Sequence, residues 1–127
     1  MSENQKKIWI TGASSGIGKA VAEKFAKEGW KVAVSARRKE LLDELAQNQN
    51  IVSFPLDVTN NNQINEVFKN ILTEFKDLDI CLFSSGTYEP KDELSIDPDK
   101  IRNVINVNFL GVIDCVKTVE DLSLIHI

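Results

Sequence analysis

The stretch able to do the most chemistry is Thr11-Gly12-Ala13-Ser14-Ser15-Gly16-Ile17-Gly18, which follows the apolar run Ile8-Trp9-Ile10 and leads into a helical pattern. An apolar strand, a glycine turn and a helix start together make a pocket for a pyrophosphate. The helix N-terminus supplies unpaired N–H groups and the positive end of a dipole. Backbone approaches a phosphate closely only where side chains are absent. This spacing assigns Gly12 to the tight turn, Gly16 to the close approach and Gly18 to close packing of helix on sheet. The pattern Thr-Gly-x-x-x-Gly-x-Gly differs from GxGxxG. It also fails as a GxxxxGK[ST] phosphate loop, because Ala13 and Ala20 stand where a glycine and a magnesium-binding hydroxyl belong. A turn that merely joins a strand to a helix is the competing reading.

The elements that must position this turn alternate along the chain. Lys7–Thr11, Lys31–Ala36, Ile51–Leu56 and Asp79–Ser84 are predicted strands. Gly16–Glu28 is a predicted helix, with Ile17, Ala20, Val21, Lys24 and Phe25 on its inner face and Gly29 as its C-cap. Arg38–Gln47 follows as a helix with Leu41, Leu42 and Leu45 on one face. Thr59 or Asn60 caps the next, whose apolar face is Ile64, Val67, Phe68, Ile71, Leu72 and Phe75. Asp97-Pro98 starts a long last helix, Asp as N-cap and Pro at the first helical position. Two apolar sides are expected on it, one of Ile101, Val104, Ile105, Asn108 and Val112, the other of Val107, Leu110 and Ile113. A helix apolar on two sides is normally buried on two sides, so one side needs later chain or a partner subunit.

Such alternation predicts an α/β fold, a three-layer Rossmann-type parallel sheet flanked by helices, here truncated, with strand order 3-2-1-4. Gly86–Ile96 is a loose segment beyond the carboxyl end of the fourth strand, where open α/β sheets bind ligands.

The 127 residues suffice for one domain, and 43% hydrophobic with 27% charged residues is ordinary for a soluble globular chain. A net charge of −4 without a basic cluster argues against nucleic acid and anionic membrane surfaces as partners. Neither a membrane-length apolar run nor a signal peptide is visible, and Cys81 and Cys115 have no metal-ligand spacing. A cytoplasmic protein with buried free thiols and no metal is expected.

The run TGASSGIG resembles the cofactor fingerprint of the classical short-chain dehydrogenase/reductase family. The resemblance implies cofactor contacts from Thr11, Gly12, Ser14, Ser15, Gly16, Ile17 and Gly18. Extended relatives such as epimerases tend toward Thr-Gly-x-x-Gly-x-x-Gly, a different spacing. At the end of the second strand NAD-preferring relatives tend to place Asp; here Ala36 is followed by Arg37, able to pair with a 2′-phosphate bidentately. NADP is therefore expected over NAD, with Arg38 read as a solvated charge. Asp57-Val58 resembles the family's adenine-contacting Asp-Val pair. Where the family usually shows Asn-Asn-Ala-Gly, this chain has Phe83-Ser84-Ser85-Gly86, keeping only the glycine; Ser84 and Gly86 are expected beside the ribose.

Asn106-Val107-Asn108-Phe109-Leu110-Gly111 resembles the family's helix motif with a catalytic Asn, which falls on Asn108. In relatives that Asn sits at a helix kink, its carbonyl holding a water in a proton relay. The family's catalytic Ser and Tyr-x-x-x-Lys pair are absent. Tyr88 is followed by Lys91, three residues on rather than four, in the loop after the fourth strand. The resemblance implies an alcohol–carbonyl oxidoreductase, homo-oligomeric when complete, of which this chain is an inactive N-terminal fragment. A non-catalytic redox-sensing regulator on the same half-fold is the rival. Residues 1–121 read as part of a single NAD(P)-binding domain. Leu122-Ser123-Leu124-Ile125-His126-Ile127 reads as a non-native tail, since CTGTCTCTTATACACATC, a transposon-end adapter, translates to it. Thr87, Tyr88 and Glu89 are the residues expected nearest the cofactor on a substrate wall.

Overall fold

A computed structural model describes residues 5–87 and 96–123. Four parallel strands form one sheet: β1 (Lys7–Thr11), β2 (Lys31–Ser35), β3 (Ile51–Ser53) and β4 (Ile80–Phe83), in the order β3-β2-β1-β4. The predicted order is the observed one. Around it run α1 (Gly16–Lys27), α2 (Lys39–Leu45), α3 (Asn61–Phe75) and a last helical stretch. That stretch is α4 (Pro98–Ile105), a π-helical turn (Asn106–Leu110) and α5 (Gly111–Ser123). Predicted residues 124–127 of the tail lie outside the described residues, while Leu122 continues the helix and packs against the core.

Alternation of side chains along β1 splits the core into two layers. Ile8 and Ile10 face α1 and α2, packing with Ala22, Ala26, Val32, Val34 and Leu42. Trp9 faces α3 and α5, packing with Ala33, Ile64, Phe68, Ile71, Val107 and Cys115. Its ring stacks on Phe68 at 5.4 Å and meets Phe83 edge-on at 5.7 Å.

Local chemistry sets the helix ends. The Asn60 side chain accepts from the Gln63 amide at 3.1 Å, and the Asp97 side chain caps α4 with Pro98 at the first helical position. At the end of α1 the Gly29 amide bonds Ala26 O and the Trp30 amide bonds Phe25 O, with Gly29 at φ +92, the glycine C-terminal motif expected there. β3 is shorter than predicted and ends at Ser53, two residues before Pro55. Even so, Phe54 and Leu56 still donate to β2-side carbonyls at 2.9 and 3.0 Å.

Two predicted helix faces need correction. In α1 the buried residues are Gly18, Ala22 and Ala26, while Ile17 is 77% exposed and Ala20 and Lys24 face outward. A stripe of small residues at four-residue spacing lets the helix sit close to the sheet, and size outranks hydrophobicity there. In the last stretch Val107, Gly111, Cys115 and Thr118 are buried. Ile101, Ile105, Phe109, Leu110, Ile113 and Val116 are exposed. The π turn bonds i to i+5, which adds a residue and shifts the phase of the faces, so Val107 leaves the side predicted for it with Leu110 and Ile113. Among the described residues, no helix is long and apolar enough to cross a membrane.

Candidate functional site

A cleft of about 450 Å³ opens at the carboxyl ends of all four strands. Each strand delivers one part of its wall: Gly12 and Ser14–Gly18 after β1, Ala36–Arg38 after β2, Leu56–Val58 after β3, and Ser84–Thr87 after β4. Val107 of the π turn closes the remaining side.

The glycine turn is built by exclusion. Gly12 has φ +67, and a Cβ there would lie 2.6 Å from Ser84 O. A Cβ on Gly18 would strike Gly12 O and come within 2.7 Å of Ser84 Oγ. These two glycines let β1, α1 and β4 meet. Gly16 is different: its φ is +58 and a Cβ would meet nothing within 4 Å among the described residues. It borders open space in the cleft wall. The Ser15 side chain makes no capping bond to α1, so the cap leaves the first-turn N–H groups available to an anion. That is a cradle whose shape and donor set fit a pyrophosphate.

Thr11 lies below the wall rather than in it. Its side chain is buried, its Oγ1 has no hydrogen-bond partner among the described residues, and its carbonyl accepts from Ser84 Oγ at 2.7 Å and Ser84 N at 3.3 Å. Ser84 thereby ties β4 to β1 beneath the turn, with the short reach its side chain allows.

Across the cleft, Asp57 Oδ1 accepts from Thr59 N at 2.9 Å and Thr59 Oγ1 at 2.7 Å. Burial pushes the Asp57 carboxyl up, but the two Thr59 hydrogen bonds and the positive charge of Arg37 outweigh it and hold it below the usual carboxylate range. Arg37 is exposed on the wall, and Arg38, read from sequence as a solvated charge, lines the cleft beside it.

Asn108 stands in the π turn, at the distortion expected of it. Its carboxamide grips the loop after β4 on both sides, Oδ1 accepting from Thr87 N and Nδ2 donating to Thr87 O. A Cβ on Gly86 would touch Asn108 Oδ1 at 3.4 Å, so Gly86 lies beside the Asn108 carboxamide. Tyr88 and Glu89, expected on the substrate wall, lie outside the described residues; Thr87 does line the cleft.

Sequence reasoning did not place Leu56, Ser85, Val107 or Gly111 at the site. Leu56 and Ser85 line the cleft and adjoin residues it named; adjacency was the available signal. Gly111 lets α5 close on Val58, where a Cβ would lie 2.9 Å from Val58 Cγ2. Among the described residues, no group of three or more His, Cys, Asp and Glu side chains could hold a metal.

A parallel sheet in this order, with a glycine turn feeding α1 and a cleft at the strand ends, defines a Rossmann-type domain. The family model described as "short chain dehydrogenase" matches residues 6–124, and the chain belongs to that family of oxidoreductases. Among curated relatives, the chain is 31% identical over 121 residues to the mouse (Mus musculus) dehydrogenase/reductase SDR family member 7, covering 88% of this chain and 36% of the relative. A solved structure of ElxO with NADP bound is similar at a TM-score of 0.82 and 28% identity, covering 95% of this chain and 52% of that one. The 3-ketoacyl-(acyl-carrier-protein) reductase of Brucella melitensis complexed with NADH is similar at 0.83 and 25%, covering 93% of this chain and 50% of that one. The chain thus spans 36% of the mouse relative and about half of these solved structures.

Proposed function

We propose that this chain is the cofactor half of an NADP(H)-dependent oxidoreductase that interconverts an alcohol and a carbonyl. The observation that carries the reading is the single cleft joining the open glycine cradle at Gly16 to Arg37, Asp57 and Val58. NADP-bound ElxO and the NADH complex of the Brucella reductase are similar over nearly the whole chain and support a nicotinamide dinucleotide.

In this reading the α1 N-terminus, with Ser14–Gly18, receives the pyrophosphate. Asp57 and the Val58 backbone meet the adenine. Arg37 pairs with the 2′-phosphate, a charge that an acidic residue there would repel. Ser84 and Gly86 border the ribose. The bound nicotinamide supplies or accepts the hydride; the protein supplies orientation and proton transfer. Asn108, held by Thr87, keeps the π turn in place, and its carbonyl is the group that holds a relay water. The Ser and the Tyr-x-x-x-Lys pair belong to the part of the relatives' length that this chain does not span. The exposed stripe Ile101, Ile105, Phe109, Ile113 and Val116 supports a homo-oligomer of the complete protein.

Calorimetric titration of the complete protein with NADPH and NADH tests this. Binding of both, NADPH tighter, is expected; binding of neither sinks it. Turnover of carbonyl substrates separates an enzyme from a non-catalytic dinucleotide-binding regulator. The 127-residue chain alone is expected to give none.

A further inference from the structure

Trp9 is wholly buried at the centre of the sheet, and its indole has a polar partner: Nε1 donates to Ser35 Oγ at 2.9 Å. The strand register permits this. Trp9 lies opposite Ala33 in the β1–β2 register, and the small side chain leaves room for the indole to lean along β2 toward Ser35, two residues on. Phe68 stacks on one face of the ring and Phe83 meets its edge, so the ring's direction is fixed. The Ser35 carbonyl accepts from Ala13 N, inside the glycine turn, at 3.2 Å. The next residues, Ala36 and Arg37, form the cleft wall. One buried serine therefore touches three things at once: the core through its hydroxyl, the phosphate turn through its carbonyl, and the 2′-phosphate residue through the chain.

We infer that the Trp9–Ser35 hydrogen bond is a positioning device that sets the span from the glycine turn to Arg37 and so helps to determine the preference for NADPH over NADH. This rests on the cofactor reading above. The pyrophosphate and the 2′-phosphate of one ligand are gripped at the two ends of that span. A ligand without the 2′-phosphate feels only one end. A displaced β2 terminus therefore weakens NADPH more than NADH. Loss of packing alone weakens both alike, or lowers stability without touching the ratio.

The test is calorimetric titration of the complete protein with NADPH and NADH, with thermal unfolding recorded in parallel. The variants are Trp9→Phe, Ser35→Ala and Ser35→Thr, the last keeping the hydroxyl. In Trp9→Phe and Ser35→Ala the NADH-to-NADPH ratio of Kd falls by roughly three- to tenfold, the factor set by one hydrogen bond. In Ser35→Thr it stays within about twofold of wild type. Unchanged ratios in Trp9→Phe and Ser35→Ala overturn the inference alone, whatever happens to the unfolding temperature. So does a Ser35→Thr ratio as low as that of Ser35→Ala. Wild-type protein that binds neither dinucleotide, or prefers NADH, overturns the cofactor reading and this inference with it.

Discussion

Asn108 and Thr87 are joined as two strands of a sheet would be: Asn108 Oδ1 accepts from Thr87 N at 2.6 Å while Asn108 Nδ2 donates to Thr87 O at 2.9 Å. A carboxamide has one acceptor and one donor at that separation; few other side chains do. The pairing holds the loop after β4 against the π turn, which brings Val107 to the cleft. Helix interiors disfavour Asn, and here the side chain spends its polarity outside its own helix.

Asn108→Ala therefore frees the Thr87 segment and lets the π turn relax toward α-helix. In the complete enzyme kcat is expected to fall by about a hundredfold, the scale of misplaced catalytic groups, with Kd for NADPH changed much less. Steady-state kinetics beside calorimetry separates the two. Asn108→Asp keeps the acceptor and loses the donor, so it rescues little.

The glycines of the turn differ in what they avoid, and alanine substitutions expose the difference. Gly18→Ala pushes a methyl into Gly12 O and Ser84 Oγ, an overpacking of the kind that costs about 1–3 kcal/mol of stability. Gly16→Ala meets no atom, and only its φ of +58 is strained, at about 1–2 kcal/mol. Its methyl instead projects toward the cleft. Chemical denaturation should rank Gly18→Ala as the less stable, whereas dinucleotide titration should show binding lost in Gly16→Ala even where the protein is fully folded.

Much of this was legible in the sequence because it is local. The Asn60 cap, the Asp97-Pro98 start, the Gly29 stop and the face Ile64, Val67, Phe68, Ile71 and Phe75 are all short-range patterns, and all appear. What was not legible depends on neighbours far along the chain. The inner face of α1 is set by how closely Gly18 approaches Gly12 and Ser84, and periodicity of apolar residues does not report such closeness. The phase of the last helix turns on one widened turn at Asn106–Leu110, whose Asn108 bonds Thr87 and which is followed by Gly111 against Val58. Ser35 carried no motif at all; its place follows from an indole on a different strand.

Arg37 and Asp57 share the cleft wall, and their charges are coupled. Arg37→Ala should weaken NADPH by about ten- to a hundredfold, the scale of a charge-assisted pair worth about 1.5–3 kcal/mol, while NADH changes little. It also withdraws one of the influences holding the Asp57 carboxyl low. A group whose folded pKa is depressed contributes stability above its unfolded pKa and loses it as pH falls through the folded one. The acid limb of the stability profile should therefore move to slightly higher pH in Arg37→Ala, as read by denaturation at a series of pH values from neutral to acid. An unmoved limb would mean that the Thr59 hydrogen bonds alone set the Asp57 pKa.

The two cysteines make the opposite prediction at alkaline pH. Burial pushes the Cys81 thiol up to about 11 and, together with the charges of Asp114 and Cys81, the Cys115 thiol up to about 12, from an ordinary value of 9.0. Both pack in the layer between the sheet and α3 and α5. Well below pH 9 neither state ionises them, so their contribution to stability is fully present there. As pH rises beyond that, the unfolded chain ionises its thiols and the folded chain does not, so stability falls until the folded values are passed. Cys115→Ala flattens part of that fall but leaves a small cavity beside Trp9 and Val107. Thiol-reagent labelling gives an independent reading: at neutral pH both cysteines should react slowly in the folded protein and at the rate of a free thiol in denaturant. Fast labelling of Cys115 under native conditions would show that α5 opens from the sheet far more often than its packing allows.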